Sequence, residues 1–279
     1  LKLNNHSEKG EDMNIVVCVK QVPDTTEVKI NPETGTLIRT GVPSIINPYD
    51  HFALETAINL KKKHSNFTVN VISMGPPQAK SVVQLGLAMG ADNGILLSDV
   101  AFAGSDTWAT SYALSRAIKK IGKVDLIFCG MMAIDGDTAQ TGPGIAQQLG
   151  IAQITFCENV EIDGKTIIAK KHIDNGYEII EAKPPVLFTM LTPKEHQFSY
   201  PSFREIYKSA KKNLNIWNAQ DIGAKSEFLG LKGSPTQVNK IYPPKRNASS
   251  EVFNNLTYNQ AVEKIIEIMK KEGFIKEKA

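Results

Sequence analysis

The residues best placed to do chemistry lie in one stretch, Gly130–Gly144, which reads GMMAIDGDTAQTGPG. Small and hydroxyl side chains at Thr138, Ala139 and Thr141, with Gly136, Gly142 and Gly144 among them, lead into a helical pattern over Gln140–Leu149. The first amides of a helix have no partner within it, and together with the positive end of the helix dipole they suit a phosphate or pyrophosphate. The glycines would let backbone approach such a ligand closely. Asp135 and Asp137 work against an anion. Either they turn outward to ribose and backbone amides, or a cation shares the site. Asp137 reads equally as the N-cap of the helix. Without a ligand, the whole stretch reads as a Gly-rich lead from strand to helix.

The missing motifs narrow the chemistry. There is no GxxxxGK[ST], GxSxG or HExxH sequence, and no GxGxxG after the first strand. His6, His51, His64, His172 and His196 are scattered and read as surface or loop residues. Cys18, Cys129 and Cys157 form no CxxC pair, which argues against a disulfide framework or zinc cage and fits a reducing cytoplasm. No acid/base pair or activated nucleophile stands out. A nucleotide-sized site without catalytic side chains leaves the chemistry to a cofactor.

The elements that must position this stretch follow from hydrophobic pattern. Asn14–Lys20, Thr68–Met74, Gly94–Leu97 and Val124–Gly130 are short apolar runs suited to strands buried on both faces. Between them lie helical stretches at His51–Lys63, Gln78–Met89 and Thr107–Lys120. This alternation predicts an α/β fold, a parallel sheet with helices on both faces, and ligands of such sheets bind at the carboxyl ends of the strands. Cys18–Asp24, Ser73–Pro76 and the turn Asn47-Pro48-Tyr49-Asp50 converge there. Lys20 would face an anion or solvent. Of Asn47 and Asp50, one would cap the helix and the other reach a ligand. Tyr49 would stack on a ring or be partly buried.

After Gly150 the runs Ile154–Ile162, Thr166–His172 and Tyr177–Glu181 are divided by Asp163-Gly164 and Asn175-Gly176, which are hairpin signals. They predict an antiparallel addition closed by Pro185–Leu191. Beyond Lys194, with Pro201, Pro235, Pro243 and Pro244, only Thr257–Lys271 recovers a helical stripe, through Val262, Ile265, Ile266 and Met269. That arm is expected to pack on another subunit. Residues 1–12 are read as an added or disordered extension and not a secretory signal, 13–193 as the nucleotide-binding α/β domain, and 194–279 as the arm. Among 279 residues, 32 basic and 29 acidic side chains leave a formal net charge of +3, too balanced to predict nucleic-acid binding. No apolar run reaches the roughly 18 residues of a membrane span.

Five segments in order resemble the β (small) subunit of electron-transferring flavoproteins: VCVKQVPD (Val17–Asp24), INPYDHFALE (Ile46–Glu55), SMGPPQA (Ser73–Ala79), LAMGAD (Leu87–Asp92) and CGMMAIDGDTAQTGP (Cys129–Pro143). The resemblance implies a Rossmann-like domain with a partner-wrapping arm, paired with a larger α subunit and sharing FAD with it. By motif position it places cofactor contacts at Cys18, Asn47, Pro48, Tyr49, Asp50 and Met74. It adds Gly130, Met131, Met132, Ala133, Ile134, Asp135, Gly136, Asp137, Thr138, Ala139, Gln140 and Thr141.

Two subtypes share these motifs. The housekeeping form holds AMP in this cleft and carries single electrons from dehydrogenases. The bifurcating form holds a second FAD there, with NAD as hydride donor or acceptor, and divides electrons between a flavin dehydrogenase and a ferredoxin or flavodoxin. The loop here resembles the bifurcating version, with Gly136 where the housekeeping form has a further acid. Thr25, GLKGSP (Gly230–Pro235) and the Tyr242–Arg246 run point the same way. Tyr200–Lys212 is loosely similar to the family's partner-recognition loop, which leaves an acyl-CoA or hydroxy-acid dehydrogenase as partner; Lys208, Lys211 and Lys212 equally read as a solvated helix face. A stand-alone adenine-nucleotide sensor and a pyridine-nucleotide dehydrogenase are the competing readings. The exposed arm argues against the first, and the absent GxGxxG and catalytic histidine against the second.

Overall fold

The structure is a computed structural model that describes residues 12–24, 43–164, 166–239 and 252–275. The extension read before Asp12, Thr25 and the Tyr242–Arg246 run with Pro243 and Pro244 lie outside the described residues. Strand β1 (Met13–Cys18) sets the plan. Ile15 and Val17 point to one face of the sheet, Val16 and Cys18 to the other, and all four are buried. Period-two alternation with both faces apolar requires a layer on each side.

After the short antiparallel pair β2 (Gln21–Pro23) and β3 (Ser44–Ile46), helix α1 (Pro48–Lys63) supplies the first layer. It starts at Pro48, ahead of the predicted His51, because proline at the first helical position has its φ already set and lacks an N–H that would go unpaired. β4 (Phe67–Met74) comes next, then α2 (Lys80–Met89), whose predicted first residues instead form a 3₁₀ turn at Pro77–Ala79. Leu54, Ala57, Val83 and Leu87 of these helices cover Val17, Val69, Val71 and Phe128. On the opposite face, β5 (Asn93–Leu97) leads to α3 (Thr107–Ile121), and β6 (Leu126–Gly130) to α4 (Thr141–Leu149). There Ala113, Leu114, Ala117 and Ile145 cover Val16, Ile72, Ile95 and Ile127.

β7 (Ala152–Asp163), β8 (Thr166–Ile173) and β9 (Gly176–Ala182) form the antiparallel addition at the Gly turns, as the sequence predicts. β10 (Val186–Met190) does not close it. This strand lies parallel between β6 and β7, with every residue buried. Its unbroken apolar run suits the sheet centre and has no polar side to give to solvent. The arm differs from expectation too. Helix α5 (Phe203–Ser209) is followed by β11 (Asn213–Trp217), which adds a parallel edge strand to β5. The described residues thus give a nine-stranded sheet in the order β11-β5-β4-β1-β6-β10-β7-β8-β9. Ile222 and Leu229 are buried in the core beside α3, so residues 194–239 stay with the sheet rather than forming an arm without core. Single-turn α6 (Gly230–Gly233) completes this unit.

The second unit begins at Tyr242 and holds α7 (Tyr258–Lys271), whose Thr257 and Gln260 form a capping box. Its Val262, Ile265, Ile266 and Met269 stripe is not covered within that unit. No described helix is long and apolar enough to cross a membrane.

Gly230 shows how tightly the first unit closes. Its φ is +58°, and a Cβ there would lie 2.6 Å from the Ala101 carbonyl oxygen and 2.9 Å from that of Ala103. Gly230→Ala should therefore lower stability by about 2 kcal/mol or more, combining left-handed strain with overpacking. A urea-unfolding midpoint equal to the parent's would contradict this packing.

Candidate functional site

The carboxyl ends of β1, β4 and β6 lie side by side, and a buried acid joins two of them. Asp50, in the first turn of α1, accepts the backbone N–H of Lys20 at 2.8 Å on one oxygen and that of Gly130 at 3.0 Å on the other. Burial pushes its carboxyl up to about 7, against the pull of those amides, Asn47 and the Lys20 charge. Gly130 has no side chain for a steric reason: a Cβ would stand 2.3 Å from Asp50 Oδ1 and 2.7 Å from Asp50 N. Asn47 holds the loop after β6. Its Nδ2 donates to the Met132 carbonyl at 2.8 Å, and its Oδ1 accepts Ile134 N–H at 3.1 Å. Asn47 is fully buried and makes no side-chain cap on α1. Asn47 and Asp50, one expected to cap and the other to reach a ligand, both bond to backbone here. Both act as struts between α1 and the backbone of the strand ends and the 131–134 loop.

The second feature of this edge is the start of α4. The residue at its N-cap position is Gln140, and no side chain caps the helix. Asp137 is not the cap: Ala133–Asp137 closes on itself, with Gly136 N and Asp137 N both donating to the Ala133 carbonyl, so the chain needs three more residues to reach the helix axis. By contrast, Asp106 caps α3 with bonds from Trp108 N and Ala109 N. The neighbouring Thr107 hydroxyl donates to Gln140 Oε1 at 3.2 Å. The approach to α4 is exposed from Asp135 to Thr138, and Asp137 and Ala139 take positive φ of 48° and 53°. Gly142 and Gly144 are required by packing. Cβ atoms there would stand 2.6 Å from Thr189 Cγ2 and 2.7 Å from Ser111 Oγ. Gly136 is the open one, with nothing within 4 Å of a Cβ.

Charge is arranged around this opening. Lys20 Nζ donates to Asp135 Oδ1 at 2.6 Å, which answers the repulsion expected from that carboxylate. Asp137 is exposed. Pro48, Tyr49, Met74 and Met131–Ile134 are half-buried around the same edge, and Met131 N donates to the Met190 carbonyl. Cys18 lies beneath it, buried beside Cys129; the Cys18 contact and burial push the Cys129 thiol up, so Cys129 stays a thiol. Among the described residues, no three His, Cys, Asp or Glu side chains group as a metal site.

Several positioning residues are invisible to local sequence pattern. His51 and His196 are not loose surface residues: both meet the Glu55–Ser199 contact, His51 through the Ser199 carbonyl and His196 through Glu55. The GLKGSP segment is part of the wall. Ser234 accepts Asp106 N–H at 2.8 Å, and Thr236 donates twice to Asp106. No local spacing signals bonds across more than a hundred residues.

With this geometry in hand, the comparisons agree. The electron transfer flavoprotein domain model matches residues 34–222, more than half of the chain. The electron transfer flavoprotein subunit beta of Clostridium acetobutylicum is 49% identical over 264 residues, covering 94% of this chain and 100% of that protein. The subunit of the same name from Thermoanaerobacterium thermosaccharolyticum is 50% identical over 257 residues, 91% of this chain and 97% of that one. The caffeyl-CoA reductase–Etf complex subunit CarD of Acetobacterium woodii is 45% identical over 263 residues, 94% and 100% of the two chains. The chain belongs to the electron transfer flavoprotein family, as one of its beta subunits: a flavin-associated electron-transport protein that works beside an alpha subunit.

Proposed function

We propose that, with its alpha subunit, this chain holds FAD at the β1–β4–β6 edge and serves electron bifurcation from NADH. The acceptors are a ferredoxin or flavodoxin and a flavin dehydrogenase of acyl-CoA or hydroxy-acid type. The Acetobacterium relative, a subunit of a caffeyl-CoA reductase complex, supports an acyl-CoA partner. The observation that carries the reading is the uncapped start of α4 behind an exposed loop with open space at Gly136.

The donor set fits a diphosphate. The leading amides of α4 and its dipole would receive the anion, with Lys20 as the nearby cation and its carboxylate partner Asp135 already neutralised. Half-buried Met131–Ile134 and Tyr49 would line the rest, held by Asn47 and Asp50. When bound, FAD supplies the redox chemistry. The chain's own residues bind, orient and shield; none acts as an acid or base. Tyr200–Lys212 would face the partner dehydrogenase, and the apolar stripe of α7 would lie on the alpha subunit. A cytoplasmic location accompanies this reading.

AMP in the same cleft, as in a housekeeping carrier, would use the same helix start with one phosphate. Room at Gly136 favours the larger dinucleotide. Co-purifying the heterodimer and counting cofactors after acid release should give two FAD and no AMP; one of each would establish the housekeeping form instead. Gly136→Asp should fold normally, because its Cβ meets nothing within 4 Å, yet loosen the dinucleotide about tenfold or more by like-charge repulsion. Equal FAD retention by the variant on desalting would displace the diphosphate from this loop.

A further inference from the structure

Glu55 is a buried carboxylate, 6% exposed, that takes no part in the cleft. All of its hydrogen-bond partners lie on one distant segment. One oxygen accepts both the backbone N–H of Ser199 at 2.6 Å and its hydroxyl at 2.5 Å; the other faces His196 Nε2 at 2.5 Å. One turn earlier on α1, His51 Nε2 donates to the Ser199 carbonyl at 3.0 Å. The His51 ring lies flat on Phe198 at 4.7 Å and meets Tyr200 edge-on at 5.1 Å. Every polar group of Ser199 is therefore taken up by α1. Burial pushes the Glu55 carboxyl up, but the Ser199 and His196 bonds outweigh it and hold the group below its ordinary value, so it is charged at neutral pH. A charge so far withdrawn from water persists only where it is fully paired.

Beyond this anchor the chain forms a short helix lying along α2. Ser202 and Glu205 form a capping box at the start of α5, and no residue of α5 is buried. Phe203 is 84% and Tyr207 66% exposed, with Tyr200 beside them and Arg204, Lys208 and Lys211 flanking. At the far end, Lys212 Nζ donates to the Leu87 and Ala91 carbonyls at 2.9 and 2.7 Å, where α2 ends. A helix of seven residues does not hold itself in water. Its direction comes from its packing along α2 together with the fastenings on either side.

We propose that Glu55 is a positioning residue for partner docking, fixing through Ser199 and His196 the direction in which Tyr200, Phe203 and Tyr207 are presented to an acyl-CoA dehydrogenase with an apolar depression rimmed by acidic side chains. This rests on the electron-carrier reading above. Glu55 stands on α1 eight residues after Asn47, which immediately precedes the helix, about 12 Å along its axis. Asn47 holds the cofactor loop and Glu55 holds the docking segment, so α1 sets their separation.

The test uses the heterodimer and a purified acyl-CoA dehydrogenase that the parent heterodimer is first shown to reduce. Glu55→Gln places an amide donor against the Ser199 and His196 donors. Amide hydrogen exchange over residues 196–209 should quicken, and the KM for the dehydrogenase should rise about tenfold while kcat at saturation and flavin content stay near the parent's. If Glu55→Gln does not fold, Ser199→Ala removes the hydroxyl bond alone and should move the same KM in the same direction. Phe203→Ala separates the two readings. If it leaves the KM unchanged, the segment does not dock and both the docking assignment and the role of Glu55 fall. If it raises the KM while Glu55→Gln, with faster exchange, does not, docking stands and the positioning role is overturned. A fall in kcat with unchanged KM would likewise assign Glu55 to something other than docking.

Discussion

The structure turns on one carboxylate shared between two strand ends. Parallel strands finish together at one edge, and each leaves an amide there without a neighbour to bond. Asp50 takes the amide after β1 and the last amide of β6 on its two oxygens, and it does so from the first turn of a helix packed beneath them. A buried carboxylate is costly, and its raised proton affinity reports that cost. The compensation is geometric: β1, β6 and α1 cannot shift separately without leaving an amide or a charge unpaired. Gly130 is the corollary, because any side chain would occupy the space of Asp50 itself.

From that knot the cleft is built in order. Asn47 sits one residue before α1 and spans to the loop after β6, so the loop inherits the position of the helix. The loop closes its own turn at Ala133–Asp137 before reaching α4, which leaves the helix start without a side-chain cap. An uncapped N-terminus has unsatisfied donors and partial positive charge. α3 presents no such opening, since Asp106 caps it and is itself held by Thr236. Lys20 draws Asp135 aside at the same point. That exposed pair adds little stability; its effect is on the local field.

The sequence made the architecture legible wherever the signal was local. Alternating apolar runs gave β1, β4, β5 and β6, and the Asp-Gly and Asn-Gly dipeptides gave the hairpins. The loop before α4 was also visible, because small residues and glycines cluster there. What failed depended on distance. Nothing local in Val186–Met190 says that the chain re-enters the parallel sheet beside β6, and nothing in Asn213–Trp217 says that it joins β5. That Gly142 and Gly144 are needed for packing was not legible either, because their neighbours Thr189 and Ser111 lie on other elements. Asp137 looked like a cap because its residue type fits; the three residues separating it from the helix were not readable as a separate turn.

Four acids near this edge and its supporting helix show how environment, not residue type, assigns a role. Asp50 is buried, its two oxygens taken by the backbone amides of Lys20 and Gly130, and it holds strands. Glu55 is buried and bonded by a serine and a histidine of one segment, and it holds that segment. Asp135 is exposed and paired with a lysine, and Asp137 lies in solvent. Asp50 and Glu55, the two buried acids of the four, are spent on holding backbone, and that fixes distance and orientation. Those are the variables an electron carrier needs fixed, while the redox chemistry belongs to what it holds.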